Sequence, residues 1–395
     1  GSLPGRHGVS LVHGGFTFTG QVDREPDGRG HIKEDVVNWA GGSIHYAHDA
    51  DGFLTRAGAA LPSTTNVLTI TPLAAAALSN APACAAGCVD ASGRIDQMEL
   101  TSGGRTVRTR YVFDTGASGH GELQEIHHEL VVGGTTTPLL VIRYHLDGES
   151  SSRDAMGRIL WRREVVGSGG SAETITTQYG YDWMGHLASE TRGGTTSSWG
   201  YDLNGRRISA PVAGTSIAHD TQDRINTYGD VSYTWSLRGQ MRSRTYAGST
   251  IEYDYNGSGA LEQVRFVGGA VIDYRNDGAG RRVAKVVDGQ LRNTWIYDGS
   301  LRIVGERRWS AAGAELAPTR YVYGTMINVP EYFIRDGVHY RILTDHLGSV
   351  RMVVRMNDGV VVQEMRYDAF GGVVSDTNPR FQPFGFAGGI YDPDT

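Results

Sequence analysis

Cysteine and proline are scarce in this chain. Its 395 residues include two cysteines and 12 prolines. Cys84 and Cys88 have neither a second cysteine pair nor a histidine close by, so a structural zinc site is not expected. A local disulfide and two free thiols remain open alternatives, because two cysteines do not identify the redox compartment. The low proline content argues against a disordered Pro/Gly linker.

An excess of positive charge is also missing. The formal net charge is −6, which gives no basic footprint for nucleic acid or anionic lipid. No apolar run reaches the length of a membrane-spanning helix; the Ala-rich segment near 71–81 is shorter and predicts a helical insert. Phosphate-binding and dinucleotide-binding glycine motifs are absent too, and no cofactor or metal site is predicted.

Glycine, in contrast, is abundant, with 55 residues that mostly fall inside a repeated unit. A period of about 20–25 residues indicates an array of supersecondary units. Arginines often follow the turn glycines and are predicted to lie at the first positions of the strands. The clear copies open on Tyr-Asp, at Tyr181-Asp182, Tyr201-Asp202, Tyr253-Asp254, Tyr297-Asp298, Tyr367-Asp368 and Tyr391-Asp392. Weaker copies begin at His219, Tyr233, Tyr274 and Asp345, and worn copies at Tyr46, Val89, Phe113 and Arg153.

Each unit has the chemistry of a β-hairpin tip. The tyrosine ends one strand, the aspartate enters the turn and accepts backbone N–H groups, and a glycine supplies the positive φ. The glycines predicted to do so in three clear copies are Gly185, Gly205 and Gly257. We therefore interpret the repeat aspartates as turn residues rather than as catalytic groups or metal ligands.

The number of units predicts the architecture. About fifteen hairpins, each adding two strands 4.8 Å apart, would make a sheet on the order of 140 Å wide. Twisted open sheets rarely exceed about ten strands without curling, splitting or closing. The predicted fold class is all-β, a long curled antiparallel sheet that winds as a spiral or barrel-like shell around a hollow too wide for side chains to fill. A β-propeller or stacked sandwiches are alternatives, but units of about 20 residues favour the spiral.

Residues 345–395 resemble a known family. DHLGSVR at 345–351, YDAFGG at 367–372 and FGFAGGIYDPDT at 384–395 are similar to the core of bacterial RHS/YD-repeat proteins. The C components of insecticidal toxin complexes and the teneurins share such cores. The resemblance implies degenerate repeat strands in 1–150, a hairpin array in 151–344, and a core segment in 345–395 that stops before the family's plug and autoprotease region.

This resemblance implies a container and not an enzyme. Such shells enclose a toxic C-terminal domain, which this sequence does not include. The implied partners are that domain, a remaining N-terminal part of the shell, a secretion-apparatus component and an immunity protein. The implied protein is bacterial, made in the cytoplasm, and secreted or displayed on the cell surface. The family's protease aspartates would follow Thr395, so Asp392 and Asp394 receive no catalytic role.

Two other functions remain as alternatives. The first is an extracellular YD-repeat module for adhesion or glycan recognition. The second is a homodimeric aspartic protease, because Asp114 begins an Asp-Thr-Gly-Ala-Ser string. That mechanism requires two carboxylates sharing one proton, and the sequence has no second Asp-Thr/Ser-Gly. Because the string also fits the repeat, Asp114 is predicted to be structural.

Two groups of histidines are candidate metal ligands, and one of them is flanked by glutamates. His45 lies near His48, and His127-His128 lies between Glu125 and Glu129. Imidazole and carboxylate are common metal ligands. On a strand, however, alternating His and Glu more often form a solvated face, which is what we expect here.

Overall fold

The molecule is almost entirely β-structure. The computed structural model describes residues 94–114, 121–146, 152–299, 302–324 and 326–395, together with six earlier strands. Helix accounts for 2% of it, including short 3-10 segments at Gly169–Ser171 and Phe386–Gly388. In this described part of the chain, no helix is both long enough and apolar enough to span a bilayer.

The strands follow one another with short connections. In chain order they are β1 (His7–His13), β2 (Phe16–Pro26), β3 (Ile32–Trp39), β4 (Gly42–His48), β5 (Leu54–Gly58), β6 (Val67–Pro72), β7 (Ile95–Ser102), β8 (Arg105–Phe113), β9 (Leu123–Val132), β10 (Thr135–Arg143), β11 (Trp161–Val166), β12 (Glu173–Tyr181), β13 (Leu187–Arg192), β14 (Thr195–Ser198), β15 (Gly200–Tyr201), β16 (Arg207–Ser209), β17 (Ile217–His219), β18 (Ile225–Tyr228), β19 (Val231–Trp235), β20 (Met241–Tyr246), β21 (Ser249–Tyr255), β22 (Leu261–Phe266), β23 (Val271–Asn276), β24 (Arg282–Val287), β25 (Gln290–Asp298), β26 (Arg302–Arg308), β27 (Thr319–Val322), β28 (Tyr332–Arg335), β29 (Val338–Thr344), β30 (Val350–Arg355), β31 (Val360–Tyr367) and β32 (Val373–Asp376).

Within each sheet the strands pair antiparallel in strict sequence order. Three sheets result: a 14-stranded sheet of β1–β14, the pair β15–β16, and a 16-stranded sheet of β17–β32. The predicted fold class of long antiparallel sheets is confirmed, and the sheets do not close into a barrel. The ladder is interrupted after Ser198 and Ser209. The division at residues 150 and 344 stays a prediction.

One edge of this ribbon is built from turns with a shared geometry. At Asp202, Oδ1 accepts the backbone N–H groups of Asn204 at 2.9 Å and Arg206 at 3.0 Å. Gly205 supplies a φ of 77°, which glycine adopts without steric cost. The same carboxylate or amide contacts occur at Asp154, Asp182, Asp220, Asn256, Asp277, Asp345 and Asp368. The structure thus places Tyr181, Asp182, Gly185, Tyr201, Asp202, Gly205, Tyr367 and Asp368 at turns of this kind.

The residue before a turn binds the preceding turn. The Tyr181 hydroxyl donates to the carbonyl of Ile159 at 2.9 Å, five residues after Asp154. In four further pairs, the side chain before one turn donates to the carbonyl five positions after the residue that opens the preceding turn. These pairs are Tyr201 to Leu187, Trp235 to Ile225, Asn276 to Leu261 and Tyr297 to Arg282. In Tyr181-Asp182 and Tyr201-Asp202 the pair therefore has two functions, because the aspartate closes its own turn while the tyrosine fixes the neighbouring one.

Basic residues after the turn glycines brace the same edge. The Arg206 Nε lies 2.5 Å from Oδ2 of Asp202, and Arg206 also reaches Asp223 of the next turn at 3.0 Å. The Arg158 guanidinium lies 4.6 Å from the centre of the Tyr181 ring. These arginines are part of the turn structure, beyond their predicted place at the first positions of the strands.

The opposite edge has tighter turns. Ala247 and Gly248 have φ values of 48° and 79°, and Asp288 and Gly289 have 50° and 75°. Two consecutive positive φ angles characterise a type I′ turn, whose twist matches that of the flanking strands. The two edges therefore present different side chains to solvent.

One predicted turn lies two residues later than expected. Tyr253 and Asp254 are inside β21, and the turn starts at Asn256 with positive φ at Gly259 instead of Gly257. Asn256 and Asp254 both stand three residues before a glycine, so the local pattern fits either register. Burial of Tyr253 selects the later turn. This side chain is 9% exposed in a core cluster, and the strand must continue past it to keep the ring in that cluster.

Two further Tyr-Asp pairs, at 297-298 and 391-392, behave differently. Tyr297 and Asp298 end β25, and residues 300 and 301 of that connection lie outside the described residues. Tyr391 and Asp392 lie in the C-terminal segment and not at the tip of a hairpin between two strands. Asp392 instead binds a distant lysine and tyrosine, because the segment folds back onto the sheet.

Strands β27–β30 form the middle layer of the main core. On one face, the Tyr332 hydroxyl contacts the carbonyl of Ala57 in β5 at 3.4 Å. On the other face, Phe333 packs against Phe381 with ring centroids 5.9 Å apart. One buried apolar cluster extends from Tyr46 through both sheets to Phe384. Side chains therefore fill the space where these strands meet the 14-stranded sheet.

Some predictions fall outside the described residues. The Ala-rich segment 71–81 does so except for Thr71 and Pro72, which end β6. Cys84, Cys88 and the worn copy at Val89 are outside as well. The helical insert and the cysteine alternatives stay predictions.

Removing a turn carboxylate should loosen one hairpin edge. Asp277→Ala deletes the acceptor for the N–H groups of Ala279 and Arg281, and we expect a loss of about 1–2 kcal/mol of stability. Asp277→Asn is the matched control, since asparagine fills this position at Asn256, and it should lose clearly less. Urea unfolding, with hydrogen exchange of the peptide around 275–283, measures both. Equal losses for the two variants would contradict the turn-acceptor role.

Candidate functional site

The DHLGSVR segment, residues 345–351, joins β29 to β30 and is here called the clasp. Asp345 accepts the N–H groups of Leu347 at 3.0 Å and Ser349 at 2.9 Å, as in the other turns of this edge. Unlike those turns, most of the clasp is enclosed, with Asp345, Gly348, Ser349 and Val350 buried. It lies where the N-terminal strands and the C-terminal segment meet.

A buried ion pair ties the clasp to the N-terminal sheet. Arg351 donates to both carboxylate oxygens of Glu164 in β11, with Nη2 3.1 Å from Oε2. Glu164 is 0% exposed and Arg351 4%. Burial alone would raise the pKa of Glu164, but the charges of Arg162 and Arg351 outweigh it and lower the pKa to about 2. Glu164 is therefore ionised, and separating it from Arg351 would leave a charge in the core.

Two histidines make further contacts across the same interface. The Tyr144 hydroxyl lies 2.7 Å from Nδ1 of His346. His128 in β9 is 3.0 Å from the Thr109 hydroxyl through Nδ1 and 2.9 Å from the carbonyl of Thr344 through Nε2. A carbonyl can only accept, so Nε2 carries the proton. Burial lowers the pKa of His128 to about 3, and the ring stays neutral near pH 7.

The opposite side of the clasp holds the C-terminal segment, residues 376–395. The Ser349 hydroxyl accepts the N–H of Ala387 at 3.1 Å, and the N–H of Val350 donates to Gly385 at 3.1 Å. Gly348 has a φ of 83°, and a Cβ there would lie 3.1 Å from the Met326 sulfur. A side chain at this position would therefore be strained and crowded. The clasp binds the β8–β11 region of the N-terminal sheet on one side and the last residues on the other.

The C-terminal segment is anchored a second time by Lys285. Its Nζ lies 2.5 Å from Oδ1 of Asp392 and 2.6 Å from Oδ2 of Asp394. The Tyr274 hydroxyl donates to Asp392 at 2.6 Å. Burial would raise the pKa of Asp392, but hydrogen bonds from Lys285 and Tyr274 lower it overall. Both carboxylates accept from a buried cation, an arrangement that suits anchoring.

A pocket of about 610 Å³ lies between the C-terminal segment and strands β22–β26. Its lining is mixed, with the rings of Trp295 and Phe381 beside the charges of Arg308 and Asp376. Among the described residues, no group of three His, Cys, Asp or Glu side chains is placed to hold a metal ion.

The predicted His and Glu faces are only partly solvated. Glu125 accepts from His127 at 2.6 Å and His145 at 3.0 Å, and lies 3.3 Å from Arg143. The prediction of a solvated face is wrong for His128, which is 1% exposed, because alternate residues of β9 point into the core. The described side chain of His45 belongs to β4, while that of His48 lies outside the described set.

Asp114 follows β8 directly. Its N–H donates to the carbonyl of Glu122 at 2.8 Å, which continues the β8–β9 ladder. The rest of the Asp-Thr-Gly string, 115–118, lies outside the described residues. The structural role of Asp114 stays a prediction.

Comparison with known proteins identifies the family. Residues 145–395 match the Teneurin YD-shell family model, which covers more than half of the chain, including the clasp and the C-terminal segment. The chain belongs to the Teneurin YD-shell family. The sequence-based assignment to YD-repeat shells is thereby confirmed.

Individual relatives agree with this assignment. Teneurin-3 of Danio rerio is 30% identical over 284 residues, which cover 70% of this chain and 10% of that protein. Teneurin-4 of Homo sapiens is 29% identical over 250 residues, which cover 61% of this chain and 9% of that protein. The chain thus spans about a tenth of the length of these relatives. A crystal structure of TcdB2-TccC3 aligns over 98% of this chain and 29% of the TcdB2-TccC3 chain, at a TM-score of 0.41 and 10% sequence identity.

Several residues of this YD shell's clasp were not predicted individually. Arg351 and His346 lay within a recognised string, but their partners Glu164 and Tyr144 carry no local signal, since contacts between positions about 190 residues apart are not visible in a sequence pattern. The turn arginines, in contrast, had a signal: Asp-x-x-Gly-Arg recurs at Asp154 and Asp202, and Asp277 shows it too.

The buried pair allows a sharp test of the clasp. Arg351→Met removes both hydrogen bonds of the bidentate pair and leaves Glu164 charged, with Arg162 at 3.4 Å as its remaining ion-pair partner. We expect a loss of stability that approaches the ~3–5 kcal/mol of a broken buried pair. Adding Glu164→Gln removes that charge and should restore most of the loss. Denaturant unfolding of Arg351→Met, Glu164→Gln and the double variant gives the coupling free energy between the two side chains.

The control is an exposed pair in the same strand region. Arg355 and Asp358 pair at 2.5 Å with side chains 40% and 41% exposed, and Arg355→Met should change unfolding little. A clasp that contributed nothing would show the same small effect for Arg351→Met.

Proposed function

We propose that residues 1–395 form part of the wall of a secreted bacterial shell that encloses a toxic C-terminal domain. The single observation that carries the proposal is the double attachment of the clasp. Arg351 binds Glu164 in the N-terminal sheet, while Ser349 and Val350 bind the C-terminal segment. A wall in which one buried segment ties the N-terminal sheet to the C-terminal segment is suited to keeping a polypeptide apart from its surroundings.

The charges of the site support a mechanical function. Glu164 is paired with Arg351 and Asp392 with Lys285, and the turn aspartates accept hydrogen bonds from backbone N–H groups. These groups hold backbone segments together, and we infer that this chain is a structural shell and not an enzyme. The proposed action is steric: the wall separates an effector from the cell that makes it.

Origin and partners are part of the proposal. The strings DHLGSVR and FGFAGGIYDPDT support a bacterial source. The proposed partners are the C-terminal effector, further N-terminal shell strands, a component of the secretion apparatus and an immunity protein.

Extracellular adhesion or glycan recognition is the second candidate. Membership of the Teneurin YD-shell family favours it, and so does the exposed ring of Trp183, which is 83% accessible. Exposed aromatic side chains are frequent at recognition surfaces.

Limited proteolysis of the natural protein, with the sequences that flank this chain in it, separates the two candidates. Under encapsulation, the part that follows Thr395 should resist protease while the shell stays folded. Arg351→Met should expose that part, and Arg355→Met should not.

Rapid cleavage after Thr395 in a natively folded wild-type protein would contradict encapsulation. Adhesion would instead be supported by binding to cell surfaces or glycans that is lost on Trp183→Ala while the protease pattern is unchanged.

A further inference from the structure

The turn edge carries a row of unusually exposed apolar side chains. Met156, Trp183, Leu203 and Leu237 are 80%, 83%, 80% and 102% exposed, and Met184 is 42% exposed. Each occupies the first or second position after a turn-opening residue: Asp154, Asp182, Asp202 or Ser236. We call these five side chains the tip row.

Contacts between side chains show that the turns of the tip row are neighbours. Arg158 stacks on Tyr181, and His186 stacks on Tyr201 with ring centroids 4.7 Å apart. Arg206 bonds Asp223 at 3.0 Å, and Arg224 donates to the carbonyl of Ser236 at 2.9 Å. Successive tips are thus about 10 Å apart, two strands of a sheet, and they form one surface. Only the turn at Asp220, with Thr221 and Gln222 at its tip, interrupts it with polar residues.

One tip residue of the same kind is already docked in this molecule. Phe370, two residues after Asp368, packs edge-on against Trp199 with centroids 4.9 Å apart. The Arg207 guanidinium lies 4.1 Å from the centre of the Phe370 ring. Arg207 directly follows the turn that carries Leu203, so this contact adjoins the tip row. An apolar tip of one part of the ribbon therefore packs on another part, and the free tips continue that interface.

We propose that the tip row is a ribbon-docking surface, and that its partner is the equivalent edge of a second copy of this chain. In a two-fold arrangement the same patch serves both copies. Tips spaced about 10 Å apart leave gaps that the tips of an antiparallel edge can enter. The charges near the tips permit this approach, because Asp182, Asp202 and Asp220 are paired with His186, Arg206 and Arg224.

The available area suits a stable contact. Five large side chains at these exposures present on the order of 700 Å² per copy, with aromatic and large apolar side chains each contributing roughly 150–250 Å² when fully exposed. A standard stable interface buries about 800 Å² per partner. Apolar patches of this size on a soluble protein often mark an interaction site.

Sedimentation velocity over a concentration series tests the proposal. The wild-type chain should associate reversibly to a dimer. The variant Trp183→Glu/Leu203→Glu/Leu237→Glu should weaken association by more than about thirtyfold, the effect of removing a single hot-spot side chain. The matched control is Tyr246→Glu/Val267→Glu, which changes exposed apolar residues at the opposite edge, 55% and 60% accessible, and should leave the dimer unchanged.

Hydrogen exchange at low and high protein concentration gives an independent measurement. Peptides covering 181–186 and 201–206 should gain protection with concentration, and those covering the opposite-edge turns 247–248 and 288–289 should not. A wild-type chain that stays monomeric overturns the proposal. So does a dimer that survives the triple substitution, and so does a monomer whose tip row binds phosphatidylcholine vesicles instead.

Discussion

The coupling of one turn to the turn before it is the interaction on which this ribbon depends. An isolated hairpin is at best marginally stable in water. Here the Asp202 carboxylate closes its turn with two backbone bonds, and Tyr201 before it binds the carbonyl of Leu187, just after the preceding turn, at 3.0 Å. Each hairpin is thereby stabilised by its neighbour, which is the nearest-neighbour arrangement of repeat proteins.

Local coupling alone would leave the ribbon open, and closure needs contacts between distant segments. The clasp supplies them through a bidentate pair between Arg351 and Glu164 and through the neutral ring of His128. Buried charges are costly unless they are paired and hydrogen-bonded. A ribbon folded in another register would separate Glu164 from Arg351, so these groups favour the observed arrangement. The apolar cluster around them supplies the bulk of the burial.

The turns could be predicted from the sequence, whereas the contacts between residues far apart in the chain could not. Turn chemistry is local, so Asp182 and Gly185, like Asp202 and Gly205, could be placed from the sequence alone. The turn near Tyr253 could not, because two overlapping patterns compete and only burial of that ring selects between them. The partners of Arg351 and of Asp392 join positions more than 100 residues apart. For the same reason the contact between Tyr332 and Ala57 was not foreseen.

The coupling between adjacent turns is the most direct test of this account. A double-mutant cycle should combine Arg281→Ala, which removes a side chain 5.2 Å from the Tyr297 ring centre, with Tyr297→Leu, which removes that ring. We expect a coupling of about 0.5 kcal/mol or more for this pair, as for contacting residues generally. Arg158 belongs to the turn at Asp154, six turns before the turn of Arg281, and pairing Tyr297→Leu with Arg158→Ala should give no coupling within error. Equal coupling for the two pairs, or none for the adjacent pair, would contradict a ribbon stabilised turn by turn.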